Sequence, residues 1–273
     1  MANLRICARN IFDSATLTAS PALVTTLPET NLQKQERYKT ARSTSTASQD
    51  LKASWASAQR MNFIHTRMHN HTAAAQHRDR TYTDSAWTTG VVDNAAANCF
   101  AYTGFAVDDV LTEADFRIIK NSTRYITLVT NMQSYIKTIT DAANPDGYFD
   151  ISRLFGGEYY EFAYNPPYGG APITIDDYGT QDRAYDGSLI SDKGAKGRRL
   201  EIQQDWMSTT DWPVLLAMLR YAGKDKDIFV SLYPGDGTYL EPYHQGLFKL
   251  AEPSAFDRHL PNLARTRLLF IET

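Results

Sequence analysis

Cysteine is scarce: the 273-residue chain holds 2, Cys7 and Cys99. Two thiols cannot staple a disulfide framework; they could make one bridge, but free, buried thiols are the expectation for a protein made in a reducing cytosol. Long apolar runs are missing too. No window reaches the ~18 apolar residues of a helical membrane span. The opening residues alternate Leu4, Ile6 and Ala8 with polar ones, so no signal peptide is expected there. An excess of one charge is also lacking. With 28 Lys+Arg against 31 Asp+Glu, the net charge is -3, which gives no footprint for nucleic acid or an anionic membrane. Signatures of chemistry are absent as well: no Gly-x-Ser-x-Gly, no His-Glu-x-x-His, no phosphate loop. The Gly-Ala-Lys-Gly run at 194–197 has Lys196 but neither the following Ser/Thr nor the upstream spacing. No enzyme and no cofactor are expected. Repeats and low-complexity linkers are not seen either, so residues 1–273 read as one β-rich domain, with a possible subdivision near 170–180.

What the chain has is aromatic residues, 12% of the total, with 16 Tyr and 12 Phe. Aromatics suit pleated, half-buried surfaces. Alternation marks strands at Leu4–Ile11, Leu51–Ala58, Arg60–Asn70, Arg78–Tyr82, Tyr125–Thr130, Tyr135–Thr140 and Tyr148–Phe155. Thr16–Gln49, rich in Thr, Ser and Ala, reads as loops and short extended pieces on a surface. Phe100, Tyr102 and Phe105 suggest extended structure, and Thr112 could cap a helical turn over Ala114–Ile119. Asn144-Pro145-Asp146-Gly147 is the strongest hairpin signal, since Pro presets φ and Gly accepts the left-handed conformation. Later strands are expected at Arg198–Trp206, with Leu200, Ile202 and Gln204 on one face, and at Ile228–Leu232, Leu247–Leu250 and Arg267–Ile271. One clear helix is predicted over Asp211–Ala222. Thr210 would cap it, Gly223 would end it, and Trp212, Leu215, Leu216 and Leu219 would form its apolar stripe. This pattern predicts a mainly β protein: an antiparallel β-sandwich or jelly roll with one or two short helices, the helix at 211–222 covering a sheet edge or end.

The order of motifs carries a resemblance. Asn31-Leu32 and Arg42-Ser43-Thr44 precede a strand ending Met68-His69-Asn70-His71. A small-residue loop and the strand His77–Tyr82 follow. Then come Asp141, Asn144-Pro-Asp-Gly-Tyr148, Ile151 and Arg153-Leu-Phe-Gly-Gly157. Over residues 1–170 this resembles tailed-bacteriophage tail or baseplate structural proteins that carry a discoidin-like (galactose-binding-like) β-sandwich. The resemblance implies a virion protein of the tail, synthesised in the host cytoplasm. Its partners would be other tail or baseplate proteins, with copies of itself in a ring.

Several clusters invite chemistry. His65, His69, His71 and His77 could suggest a metal, but positions 65 and 69 of a strand lie ~13 Å apart. Only His69 and His71 could converge, with help from His77. A calcium loop ending at Gly147 would need oxygens at Asp146, Asn144 and position 142, where Ala142 stands. Asp108-Asp109 and Asp176-Asp177 are adjacent pairs that point to opposite faces of a strand, unlike a glycosidase pair. Lys193, Lys196, Arg198 and Arg199 read as a solvated hairpin tip or a contact with an acidic neighbour. The richest surface candidate is Gly157–Tyr168, where Tyr159, Tyr160, Tyr164 and Tyr168 offer apolar area with polar tips to a subunit interface or a glycan. The expected function is therefore structural, building the tail tip or baseplate. A glycan-binding, receptor-recognising module that uses such tyrosines on a cell-surface glycan is the alternative.

Overall fold

A computed structural model describes the chain except residues 1, 73, 100–120, 168, 184, 187, 193, 195, 236–239, 253, 261 and 273. The expectations for Phe100, Tyr102, Phe105, Asp108-Asp109 and the turn at Ala114–Ile119 lie outside the described residues. The chain folds into two compact units, Met1–Glu161 with Phe229–Gly246, and Phe162–Ile228 with Leu247–Thr273. The fold is mainly β, its strand pairs are antiparallel, and a β-sandwich is its architecture.

The first unit holds β1 (Arg5–Cys7), β2 (Thr16–Ser20), β3 (Ala41–Arg42), β4 (Gln49–His69), β5 (Gln76–Tyr82), β6 (Gly90–Asn98), β7 (Asn121–Thr140), β8 (Asp150–Gly157) and β9 (Tyr160–Glu161). The second holds β10 (Ile173–Asp177), β11 (Thr180–Arg183), β12 (Leu189–Asp192) and β13 (Lys196–Ser208). The short β14 (Ile228–Ser231) returns to the first unit, while β15 (Gln245–Leu250), β16 (Phe256–Leu260) and β17 (Leu263–Glu272) complete the second.

In the first unit one sheet runs β3-β8-β4-β7-β5-β6, with β2 also on β4, and β9-β1-β14 forms the facing layer. Phe63 of β4 stacks on Phe229 of β14 with centroids 4.4 Å apart. A 3-10 turn at Ile11–Ser14 drives Phe12 against Trp55 and Tyr135, at 5.6 and 5.4 Å. Gly156 makes that approach possible, because a Cβ there would stand 2.8 Å from the Phe12 ring and 2.9 Å from the Phe63 carbonyl oxygen. The two strands expected at Leu51–Ala58 and Arg60–Asn70 are one, β4. Register irregularities between Ser54 and Phe63 break the alternation in the middle and mimic a boundary.

Asn144–Gly147 turns as expected, with Gly147 at φ +75°, but it does not close a hairpin. β7 and β8 lie on opposite sides of β4, so the turn belongs to an arch that crosses the end of β4. Asn70, just past β4, holds the arch. Its Nδ2 donates to Asp146 Oδ2 and to the Tyr148 carbonyl, both at 2.9 Å, and its Oδ1 accepts from Asp150 N–H at 2.8 Å. Three such bonds at ~1 kcal/mol each set an expectation: Asn70→Ala loses about 2–3 kcal/mol in urea unfolding. A loss under about 0.5 kcal/mol, the level of ordinary surface changes, would contradict this role.

Thr16–Gln49 forms loops and short extended pieces with most residues reaching solvent, as expected, yet it is anchored in the core. Leu17, Leu23, Leu32 and Ala41 are buried in the unit's own core. The buried guanidiniums of Arg67 and Arg153 donate to the carbonyls of Gln35 and Gln33. Ordering therefore comes from within the chain: a few well-spaced apolar residues and two long donors satisfy a segment whose composition looks loop-like.

In the second unit the sheet runs β10-β13-β17-β15, with β16 also on β17, and β11 with β12 makes a separate ribbon. Leu200, Ile202 and Gln204 of β13 are all buried on one face, as the alternation predicted. The helix forms at Asp211–Ala222 and ends at Gly223, φ +57°. Its buried stripe is Leu215, Leu219 and Ala222, whereas Trp212 is 37% exposed. The expected basic hairpin tip is not one. Arg198 and Arg199 lie within β13, paired to Glu272 at 2.7 Å and Asp176 at 2.9 Å.

Candidate functional site

Asp211 opens the helix and is 2% exposed. The Ser208 Oγ accepts its N–H at 3.1 Å, and Asp211 Oδ2 accepts the Ser208 N–H at 3.4 Å. This reciprocal pair is a capping box, so Ser208 performs the role expected of Thr210, whose side chain makes no cap bond. The same Oδ2 also accepts the Ala163 N–H at 3.4 Å. One buried carboxylate thus joins three segments: residues 162–164, the end of β13 and the first helical turn. Phe162, 1% exposed, anchors the first segment. Gln204 Nε2 donates to the Tyr164 carbonyl at 2.8 Å.

Each joined segment carries an exposed aromatic side chain within two residues of its bond to Asp211. Tyr164 is 53% exposed, Trp206 47% and Trp212 37%. Trp206 owes its position to a β-bulge. Gln204 pairs with Thr266 and Met207 with Ala264, so Asp205 and Trp206 together oppose Arg265 alone. A bulge of this kind re-aims side chains, and here it leaves an indole outward between the buried Gln204 and Met207. Polar groups stand alongside. Gln203 Nε2 donates to Asp205 at 3.1 Å, Arg265 pairs with Asp257 at 2.9 Å, and Arg267 with Glu201 at 2.6 Å. The surface combines flat apolar faces with amide, carboxylate and guanidinium groups whose charges are matched in pairs.

The tyrosines singled out in the sequence are not brought together. Tyr159 is half-buried, its ring packed on Phe63 and Tyr125 and covered by the Arg5 guanidinium at 4.3 Å. Arg5 lies equally over Tyr125, at 4.4 Å, and is held by Glu161 at 3.0 Å. Tyr160 sits in β9, opposite Ile6. Tyr159 and Tyr160 therefore belong to the packing of the first unit, because β9 pairs with β1 and pulls them in. Of the three that are described, Tyr164 is the exposed one. Tyr168 lies outside the described residues. Sequence reasoning missed Trp206 and Trp212. Trp212 fits the helical stripe by spacing, and nothing in a strand's sequence announces a bulge.

Among the described residues, the members of the other clusters bond to groups within the chain. Asp141 accepts from Thr72 N–H and Oγ1, Asn144 donates to the Asn70 carbonyl, and Asp150 pairs with Arg42. Asp176 pairs with Arg199, while Asp177 accepts the Gly179 N–H. His65 bonds Thr123 at 2.6 Å, away from His71 and His77, which meet each other and Cys99.

No family model matches the chain, and no curated protein does. Solved structures do, at low similarity. A CBM32 module of Clostridium perfringens, in complex with GalNAc-β-1,3-galactose, is 7% identical with a TM-score of 0.39, covering 55% of this chain and 100% of that one. A fucose binding module of Streptococcus pneumoniae is 10% identical at 0.36, covering 55% and 94%. A chitosan-binding module from a chitosanase/glucanase of Paenibacillus sp. IK-5 is 14% identical at 0.35, covering 55% and 99%.

Proposed function

We propose that the chain recognises carbohydrate through the aromatic surface around Asp211, by binding and not by catalysis, and that it does so as part of a virion tail. The observation that carries the reading is the exposure of Tyr164, Trp206 and Trp212, each within two residues of a group tied to the buried Asp211 carboxylate. Sugar rings offer C–H faces to aromatic rings and hydroxyls to amide and carboxylate groups. An amphipathic, rigid aromatic platform supplies both at low entropy cost. Carbohydrate is also the ligand class in the names of the solved modules above, but this chain's own surface carries the proposal. The tail setting draws only on the motif resemblance over residues 1–170.

A glycan array probed with a multimerised form of the chain tests it, since multivalent display raises weak affinities to a readable level. At least one glycan class should bind. Trp206→Ala should weaken that binding at least about tenfold, the size expected of an aromatic anchor. Tyr159→Ala should change it little. An array without hits, or hits that ignore Trp206→Ala, would contradict the reading.

A further inference from the structure

Away from the aromatic surface, two imidazoles and a thiol converge. His71 lies just past β4, His77 is the second residue of β5, and Cys99 directly follows β6. They are 2%, 3% and 7% exposed. One ligand atom from each falls within 4.8 Å of the others. The two rings stand at 88° with centroids 4.9 Å apart, and His77 Nε2 lies 3.0 Å from His71 Nδ1. Strand pairing explains the meeting. His77 is opposite Ala97, and Cys99 N–H donates to the Ala75 carbonyl at 2.9 Å. Residues two apart on a strand share a face, so His77 and Cys99 point to the same side. His71 is fixed from its neighbour, because Asp141 accepts both the N–H and the hydroxyl of Thr72, at 2.8 and 2.6 Å.

We propose that His71, His77 and Cys99 bind a divalent ion of the zinc class. Two imidazoles and one thiolate form a borderline-soft donor set, which selects zinc-like ions over calcium or magnesium. Tetrahedral zinc places its ligand atoms roughly 3.3–3.8 Å apart, given bonds of about 2.0–2.3 Å. The facing ring nitrogens must open by a few tenths of an ångström and turn their lone pairs from each other to a shared point, and ligand atoms as far as 4.8 Å apart must close in by about 1 Å. Three protein ligands leave a fourth position for a further donor. As the ion enters, the Cys99 thiol releases its proton to solvent. The ring that donates the shared imidazole hydrogen takes its proton on the other nitrogen, so both facing nitrogens offer lone pairs. Because all three groups are buried, the ion would act structurally and bind the end of β4, β5 and the end of β6 together.

Cobalt(II) is the direct probe. Added to the reduced protein, it should give thiolate-to-cobalt charge transfer in the near ultraviolet and the visible bands of a tetrahedral site. Cys99→Ser should abolish the charge transfer and Cys7→Ser should keep it, since burial pushes the Cys7 thiol up to about 12 and leaves it inert. Zinc at about 100 times its Kd should raise Tm by roughly 5–10 °C. X-ray absorption of the zinc-loaded wild type should show one sulfur and two imidazole ligands, a readout that does not depend on a variant folding. No charge transfer, a band that survives Cys99→Ser, or a zinc shell without sulfur would each overturn the proposal.

Discussion

Asp79→Ala is expected to destabilise the protein by about 3–5 kcal/mol, the range for breaking a buried ion pair on one side. Asp79 of β5 is wholly buried and lies directly opposite Lys137 of the paired strand β7. It accepts a hydrogen bond from the Tyr135 hydroxyl, and it pairs with Lys137 at 3.2 Å and Arg124 at 3.3 Å. Burial first, and then the carboxylate beside it, hold the Tyr135 hydroxyl well above the ordinary tyrosine range, so it stays a donor. Lys137 is 1% exposed. Without Asp79 its ammonium keeps its desolvation penalty and loses its partner. Urea unfolding measures the loss. The double change Asp79→Leu with Lys137→Met should recover much of it, because a hydrophobic replacement of a buried pair is often close to neutral. A single-variant loss under about 1 kcal/mol, the scale of an exposed pair, would show that the network is solvated.

Phe229→Ala should cost a similar amount, about 3–5 kcal/mol, as a large-to-small change in a packed core. Phe229 is 0% exposed, stacks on Phe63 at 4.4 Å and touches the His65 ring at 5.3 Å. It is where β14 meets the long sheet of the first unit, so the void would open between two layers that cannot readily close over it. Phe229→Leu should retain more than half of the lost stability. Equal losses for the two variants would mean that the site depends on the aromatic pair and not on filled volume.

Local pattern revealed much of the fold. β13 was legible because Leu200, Ile202 and Gln204 alternate cleanly, and the helix at Asp211–Ala222 because its apolar residues recur at helical spacing and Gly223 ends it. What failed was whatever depends on partners distant in the chain. Asn144–Gly147 encodes a turn, but whether that turn makes a hairpin or an arch is decided by β4, which enters the sheet from far earlier in sequence. Gln49–His69 looked like two strands because its irregular middle breaks the period. The site was less legible than the fold. Tyrosine density drew attention to residues 158–168, yet the pairing of β9 with β1 buries Tyr159 and Tyr160 in part. The exposed indoles of Trp206 and Trp212 depend on a bulge and on a capping box whose acid also bonds Ala163. The Ser208-x-x-Asp211 spacing was the one available signal. Cys99 joins His71 and His77 only through the pairing of β5 with β6.

The indole N–H resonances of the four tryptophans test the central claim most directly. Trp55 is buried and donates its Nε1–H to the Ile11 carbonyl at 2.8 Å, so it serves as an internal control. On titration with a glycan identified by the array, the Trp206 and Trp212 resonances should shift together along one saturable curve, while Trp55 stays still. Saturable binding that moves neither Trp206 nor Trp212 would place the carbohydrate site elsewhere and contradict the account.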